Sequence, residues 1–416
     1  MKIFLATLGS AGDVYPFIAI GESLIQAGHD VYLCTNPYFE KTARDRKLHF
    51  IPVGSVDSYY QAVNSQRLWH HKSSYKEMCY FINTQQKMMY DALAPHVDNT
   101  SVILTSLWAF SAKMLGETKG CCIIPVRVTP STFISSYDPP YHKKLAWIRH
   151  LPLGLRRFLL HMAEKHLLDR ELAPFLNEFR NGLGLPHIER VITRWTHKTD
   201  AELLCLFPQW FASPLPDWPA NLHQVGFPLF NLLNQQEQDE TGAFIAQAKT
   251  VILMPSWALQ VNTTLIVALA KKIRRLGYQC LVVGAPNPQF GDDSGIRFEK
   301  HINLAQYLHQ FKAIIHHGGI GTIAQSFAAG IPQMVLPSAF DQFDNARRVT
   351  AMKCGLSLTE AEAGHMDRRL KRLLNDPDIA ENCQRIRARF LAEPAVDTRI
   401  VNIIQTAHAR HLSHTA

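Results

Sequence analysis

The sequence predicts an α/β protein made of two doubly wound parallel-sheet domains that face a cleft. Three observations predict it. Apolar, β-branched runs of strand length alternate with helical patterns along the whole chain, as in parallel sheets covered on both faces. The pattern is written twice, with a polar break between the copies. The second copy also carries a Gly-rich turn between a buried strand and a helix.

In the first copy, strands are expected at residues 2–8, 31–34, 102–105, 123–128 and 203–207. An amphipathic helix at 17–26 ends before Gly28, which suits a C-cap. In the second copy, strands are expected at 251–253, 281–283, 313–316 and 334–336, with helices at 263–276 and 322–329. The stretch 232–240, Leu-Leu-Asn-Gln-Gln-Glu-Gln-Asp-Glu, is the most linker-like of the chain. The expected organisation is therefore a first domain over 1–231, a linker over 232–245, and a second domain over 246–416 that ends in a helix and tail.

Length supports the division, because 416 residues exceed what one hydrophobic core normally fills. A net charge of +8 is mild for this length, and its Lys and Arg are interleaved with acids. No concentrated basic stripe with aromatics appears, so nucleic acid is not an expected partner. The apolar run after Met1 is too short for a signal-peptide core, and no stretch has the length of a membrane span. The eight cysteines show no C-x-x-C spacing, so buried thiols in a reducing cytoplasm are expected. Residues 143–166 mix Lys143, Lys144, Arg149, Arg156 and Arg157 with Trp147, Leu151, Leu155, Phe158 and Leu159. This segment is either a set of helices with solvated basic residues or a basic amphipathic surface. In the second case it touches the inner face of a membrane peripherally or steers an anionic acceptor.

The chemistry concentrates between His316 and Asn345. In Ala313-Ile314-Ile315-His316-His317-Gly318-Gly319-Ile320-Gly321-Thr322, a buried strand runs into two histidines, a Gly-rich turn and a helix. Glycines let backbone come close to a phosphate, and a helix start offers free N–H groups at its positive end. His317 and Thr322 add side-chain donors. Twenty residues on, a strand ends at Pro337 and delivers Asp341-Gln342-Phe343-Asp344-Asn345 to the same sheet edge. Asp341 can accept from sugar hydroxyls, and Gln342 can donate and accept. A phosphate cradle beside a polyol reader suits a sugar nucleotide.

His317-Gly318-Gly319-x-Gly321-Thr322, Gly330-x-Pro332, Pro337 and Asp341-Gln342-x-x-Asn345-Ala346 resemble the donor signature of family 1 glycosyltransferases. These have the GT-B fold of two Rossmann-like domains. Gly9-Ser10-x-Gly12-Asp13-Val14-x-Pro16-Phe17 resembles the acceptor-side loop of bacterial members. Ser106-Leu107-Trp108-Ala109, Pro130-Ser131-Thr132, Cys205-Leu206-Phe207-Pro208 and Gly226-Phe227-Pro228 further resemble the rhamnosyltransferases of rhamnolipid synthesis. The resemblance implies inverting transfer of a hexose from a nucleotide-sugar donor, without metal or cofactor, onto a lipid-like hydroxyl acceptor. A deoxythymidine-diphosphate rhamnose and a 3-hydroxyacyl lipid are favoured. A uridine-diphosphate hexose and a sterol, hopanoid, carotenoid or other natural product remain open. It further implies that His317, Gly319, Gly321, Thr322 and Ser256 hold the diphosphate, and that Asp341 and Gln342 hold the sugar. His301 and Gln325 would contact the nucleoside, and Asp13 would be the base or orient the acceptor hydroxyl. Asp13 can equally cap a helix that begins at Pro16.

Three positions depart from the family pattern. Met254-Pro255-Ser256-Trp257 stands where the family has Gly-Ser, His301-Ile302-Asn303 replaces an aromatic nucleobase segment, and Gln325 replaces an acid. Asp376-Pro377-Asp378 resembles a metal-binding Asp-x-Asp in letters only and reads as a turn and cap between helices. A nicotinamide dehydrogenase would need Gly-x-Gly-x-x-Gly after the first strand, which Gly9-Ser10-Ala11-Gly12 does not supply. A non-catalytic sugar-nucleotide or lipid-binding protein is the alternative from a different class. Tyr80, Phe81, Trp108, Phe110, Phe133, Trp147 and Phe158 are candidates for a greasy acceptor pocket or for ordinary core.

Overall fold

The computed structural model describes residues 1–69, 73–197, 202–231, 239–255 and 263–415. The chain divides into two compact units. One joins Met1–Phe230 to Pro394–Ala416, and the other is Asn231–Glu393.

Among the described residues, the first unit holds seven parallel strands. They are β1 (Lys2–Ala6), β2 (Asp30–Thr35), β3 (His49–Pro52), β4 (Val102–Thr105), β5 (Cys122–Arg127), β6 (Leu203–Cys205) and β7 (Leu222–Gln224). Their order is β3-β2-β1-β4-β5-β6-β7, so the winding reverses between β1 and β4. Residues on β1 alternate between the two faces, as strand geometry demands. Ile3 and Leu5 pack with Phe17, Ile18 and Leu24 of helix α1 (Ala11–Gln26). Phe4 and Ala6 pack on the other side with Met89, Leu93, Ala112 and Leu115. Between β5 and β6 the chain also forms helix α2 (Leu153–Ala163).

The second unit holds β8 (Thr250–Met254), β9 (Gln279–Val283), β10 (Ile296–Glu299), β11 (Ala313–His316), β12 (Gln333–Val335) and β13 (Gly355–Ser357). Their order is β10-β9-β8-β11-β12-β13, again parallel and again reversing beside the first strand. Val251, Leu253 and Ile315 face Leu269, Ile273 and Leu370, while Ile252 and Ile314 face Phe244, Leu308 and Phe311. Helix α3 (Ile320–Ala329) follows β11, and α4 (Gln342–Ala351) follows β12.

The structure moves several expected boundaries. Helix α1 begins at Ala11, six residues before the expected start. Its N-cap is Ser10, so Pro16 lies inside the helix rather than at its head. Of the expected linker, 232–238 lie outside the described residues, and Asp239–Gln247 form a helix of the second unit. The chain end is also reassigned. Helix α5 (Val396–Thr415) belongs to the first unit, where Ile400, Ile404 and Ala407 join the core beside α1. The hydroxyl of Ser23 on α1 donates to Asp397 at 2.7 Å. Its apolar face completes the first core, which local sequence could not reveal.

Candidate active site

Asp13 after β1 and the Gly-rich turn after β11 lie at strand C-terminal ends, each beside the point where the winding of its own sheet reverses. Doubly wound sheets bind ligands there.

In the first unit, β1 runs through Thr7 and Leu8 into Gly9, whose φ is +133°. The turn brings Asp13 back onto it. The Ser10 N–H donates to Asp13 Oδ2 at 2.8 Å, the Ser10 hydroxyl donates to the same oxygen at 3.1 Å, and Thr7 Oγ1 donates to the Asp13 carbonyl at 3.1 Å. Ser10 and Asp13 form a capping box, which places Asp13 in the first helical turn. The carboxylate is thus a capping partner and also stands at the strand edge. A Cβ at Gly9 would lie 2.3 Å from Oδ2, so the turn admits no side chain. Burial raises the Asp13 pKa above the usual carboxylate value, and the Ser10 hydrogen bonds pull it partly back.

An aromatic cluster that sequence reading missed adjoins this loop. The Tyr38 and Tyr59 rings stack at 4.3 Å, Phe39 meets Tyr15 and Tyr59 edge-on at 5.8 and 5.4 Å, and Tyr38 meets Tyr60 at 5.8 Å. Burial pushes the Tyr15 phenol up to about 12. Tyr59 is raised by burial as well, with contributions from Tyr38, Tyr15 and the charge of Asp13. Tyr15 is two residues beyond Asp13, and that spacing was the only signal in the sequence. Among the aromatics that were named, Phe110 and Phe133 are core, while Tyr80, Trp147 and Phe158 are exposed. Phe133 and Phe158 also line a cavity of about 460 Å³ with Trp218 and Leu160.

In the second unit, the cradle is built on β11. His316 is wholly buried, and its Nδ1 accepts from the Gly318 N–H at 3.1 Å. That bond leaves Nε2 as the protonated nitrogen, 3.1 Å from the Gln333 side-chain oxygen on β12. Burial drives the His316 pKa down to about 3, so the ring stays neutral and serves as a brace for the turn. Gly318 has a φ of +96°, and a Cβ there would meet Val335 at 2.5 Å. The next residue, Gly319, is the N-cap of α3. The helix therefore opens at Ile320, and the N–H groups of Ile320, Gly321 and Thr322 have no acceptor within it. They converge at the helix's positive end. His317 bonds through its ring to the Met254 carbonyl at the end of β8, and its Nδ1 is buried without a partner. Burial lowers its pKa, and the Met254 bond opposes that shift.

The sugar-reading pair stands at the head of α4. Gln342 is buried, and its side-chain oxygen accepts from Ser338 N–H at 2.9 Å, Ser338 Oγ at 3.0 Å and Ala339 N–H at 3.2 Å. That oxygen is fully used, so Gln342 offers a ligand only its amide N–H groups. This narrows the donor-and-acceptor role expected from sequence. Asp341 is partly exposed. The carboxamide nitrogen of Asn345 donates to Asp341 Oδ2 at 2.8 Å and to the Gly318 carbonyl at 3.0 Å. One side chain thereby ties the phosphate turn to the candidate sugar carboxylate.

The nucleoside candidates are less alike. His301 is exposed just past the edge strand β10. Gln325 is buried on α3 and donates to Asn231 at 3.3 Å, so its amide already has an intramolecular partner. Ser256 lies outside the described residues, while Pro255 directly follows β8. Asp376 caps the helix Pro377–Ala392 by accepting from the Asp378 N–H at 3.0 Å, as a turn-and-cap reading requires. Among the described residues, no group of three His, Cys, Asp or Glu could hold a metal ion.

Comparison with known proteins joins the two halves. Residues 3–135 match the glycosyltransferase family 28 N-terminal domain, and residues 292–406 match the erythromycin biosynthesis protein CIII-like C-terminal domain. The chain is a glycosyltransferase of the GT-B type. The first match contains Asp13, and the second contains the cradle and the Asp341–Asn345 segment. This glycosyltransferase is 23% identical to O-mycaminosyltylonolide 6-deoxyallosyltransferase of Streptomyces fradiae over 100% of both chains. It is 24% identical to the sterol 3-beta-glucosyltransferase of Pichia angusta over 99% of its own length, but spans only 34% of that relative. Among solved structures, it resembles glycosyltransferase VinC in complex with dTDP, with a TM-score of 0.71 at 16% identity, covering 98% of this chain and 100% of that one. Spinosyn rhamnosyltransferase SpnG gives a TM-score of 0.69 at 17% identity, covering 97% and 99%.

Proposed function

We propose that the chain moves a hexose, rhamnose in the first instance, from a nucleoside diphosphate onto the hydroxyl of a 3-hydroxyacyl lipid, with inversion and without a metal. The observation that carries the donor half is the Asn345 bridge, which joins an anion-binding turn to a carboxylate able to read sugar hydroxyls. In this reading, the diphosphate sits on the N–H groups of Ile320, Gly321 and Thr322, with Gly319 leaving room for it. It also supplies the partner that His317 Nδ1 lacks. Asp341 accepts from sugar hydroxyls, and the Gln342 amide donates to one. Ser256 and His301 complete the diphosphate and nucleoside contacts, and Gln325 stays a scaffold for α3.

Asp13 is the base. It takes the proton as the acceptor oxygen forms its bond to the anomeric carbon. The bond from that carbon to the diphosphate oxygen breaks, and its electron pair leaves with the nucleoside diphosphate. The helix start and His317 meet the charge that develops there. A raised Asp13 pKa makes the carboxylate a better base than an exposed one.

The purified chain should form a glycoside from dTDP-rhamnose and a 3-hydroxyacyl lipid. His317→Ala should weaken donor binding and turnover together. Asp13→Asn should lower kcat by about a hundredfold to ten-thousandfold while donor binding persists. Unchanged activity in both variants would sink the assignment, and donor binding with no product from any acceptor would leave a binding protein.

The names of the relatives favour a second reading, in which a sterol or another natural product takes the hexose. Offering both acceptor classes in one assay, with products read by mass, separates the two.

A further inference from the structure

Helix α2 has no buried residue, although seven of its eleven residues are apolar. Leu155, Phe158, Leu159 and Met162 fall at i, i+3, i+4 and i+7, the spacing of a stripe that normally faces a core. Here Leu155 and Phe158 are 44% and 58% exposed, and nearby Trp147 and Leu167 are 54% and 61% exposed. Apolar surface gathered in this way on one segment calls for a covering partner.

Within residues 145–170, Arg149, Arg156, Arg157, Lys165 and Arg170 outnumber Glu164 and Asp169. Arg157, His161 and Lys165 are exposed. Glu164 is buried and accepts from the Thr193 N–H at 2.7 Å and from Arg190, while Asp217 at the same cavity is exposed and accepts from Ser135 Oγ at 2.6 Å and the Ser136 N–H at 2.7 Å. Asp169 is taken up by the backbone N–H groups of Arg190 and Val191 at 2.8 and 3.0 Å. Asp138 is paired with Arg149. An apolar stripe on a segment with an excess of basic groups, its own acids engaged by the protein's donors, matches an anionic lipid interface better than a protein surface. Phe158 also lines the cavity of about 460 Å³ together with Leu160 and the stacked pair Phe133 and Trp218. The exposed stripe is therefore continuous with this cavity, whose lining also includes Arg157, His161, Glu164, Arg190 and Asp217.

We propose that residues 145–167 rest on an anionic lipid bilayer, with the α2 stripe in the headgroup region. This rests on the lipid-acceptor reading above, and its readout is independent of catalysis.

The test is co-sedimentation of the full chain with phosphatidylcholine vesicles, with and without phosphatidylglycerol. The chain should pellet with the mixed vesicles and much less with phosphatidylcholine alone, and salt should release it. The double variant Leu155→Glu, Leu167→Glu should lower the bound fraction by about tenfold or more. Lys165→Glu should lower binding to the mixed vesicles only. All three proteins should keep the same thermal midpoint and the same donor affinity. No pelleting of the native chain, or equal pelleting of the double variant, overturns the proposal. So does a native dimer that the double variant turns into a monomer without any vesicle binding, because the stripe would then cover a second copy. Failure here leaves sugar transfer to a detergent-solubilised acceptor as a separate measurement of the function itself.

Discussion

Asn345 holds Asp341 at 2.8 Å with the same amide nitrogen that holds the Gly318 carbonyl at 3.0 Å. Removing that nitrogen takes the donor from the buried Gly318 carbonyl and one hydrogen bond from Asp341. Each loss of this kind costs about 1–3 kcal/mol when the group is out of reach of water. Asn345→Ala should therefore weaken binding of the nucleoside diphosphate and of the complete sugar nucleotide alike. Titration calorimetry with both ligands checks this, and a loss confined to the sugar nucleotide would show that Asn345 serves only Asp341.

Asp341→Asn makes the contrasting case. It keeps the shape of the side chain but exchanges an acceptor for a donor. Affinity for the sugar nucleotide should drop roughly tenfold, with the free diphosphate little changed. The comparison isolates sugar contacts from phosphate contacts.

Gly9→Ala addresses the base without touching it. The φ of +133° and the 2.3 Å approach to Asp13 Oδ2 leave no room for a methyl group. Strain of about 1–3 kcal/mol should move the Asp13 carboxylate from its seat. Turnover should fall while donor affinity holds, and a variant with full kcat would show that the turn is not needed.

Ser10→Ala should move the acid limb of the kcat/KM profile to higher pH. The two Ser10 donors lower the Asp13 pKa against the larger effect of burial. The variant loses the hydroxyl donor, which disfavours the carboxylate, so a higher pH is needed to ionise it. A profile that does not move would remove Asp13 from the role of base.

Donor binding should also weaken as pH rises. With its Nε2 committed to Met254 and its pKa lowered, the free His317 ring is neutral near pH 7. A diphosphate beside Nδ1 favours a proton there and raises the pKa in the complex. Binding then takes up a proton between the free and bound values, and Kd increases as pH climbs through the bound one. Calorimetry in buffers of different ionisation heat measures the uptake directly, and His317→Ala should abolish it.

How much of this was legible in the sequence follows from physical position. All the strands named from apolar runs are interior strands of the two sheets. The four that were missed, β3, β7, β10 and β13, are the four sheet edges. Interior strands are covered on both faces and need a continuous apolar run, whereas β7 and β10 are partly exposed throughout. The start of α1 was misplaced because Pro16 looks like a helix opening, while the capping box at Ser10 and Asp13 decides it. The Gly-rich turn was readable because its glycines answer a local backbone need. The Asn345–Asp341 arm of the bridge has the i,i+4 spacing of a helix, but its Gly318 arm and the Tyr38–Tyr59 stack join residues far apart in sequence, and no spacing rule reports those.

The return of α5 to the first unit makes the second unit an insertion, entered after Phe230 and left before Pro394. Anyone grafting a donor specificity from one such chain to another would therefore need two splice points rather than one. A cut at the first crossing alone would strip Ile400 and Ile404 from against α1 and leave a bare hydrophobic furrow. The exchangeable cassette is Asn231–Glu393, carried with both of its tethers.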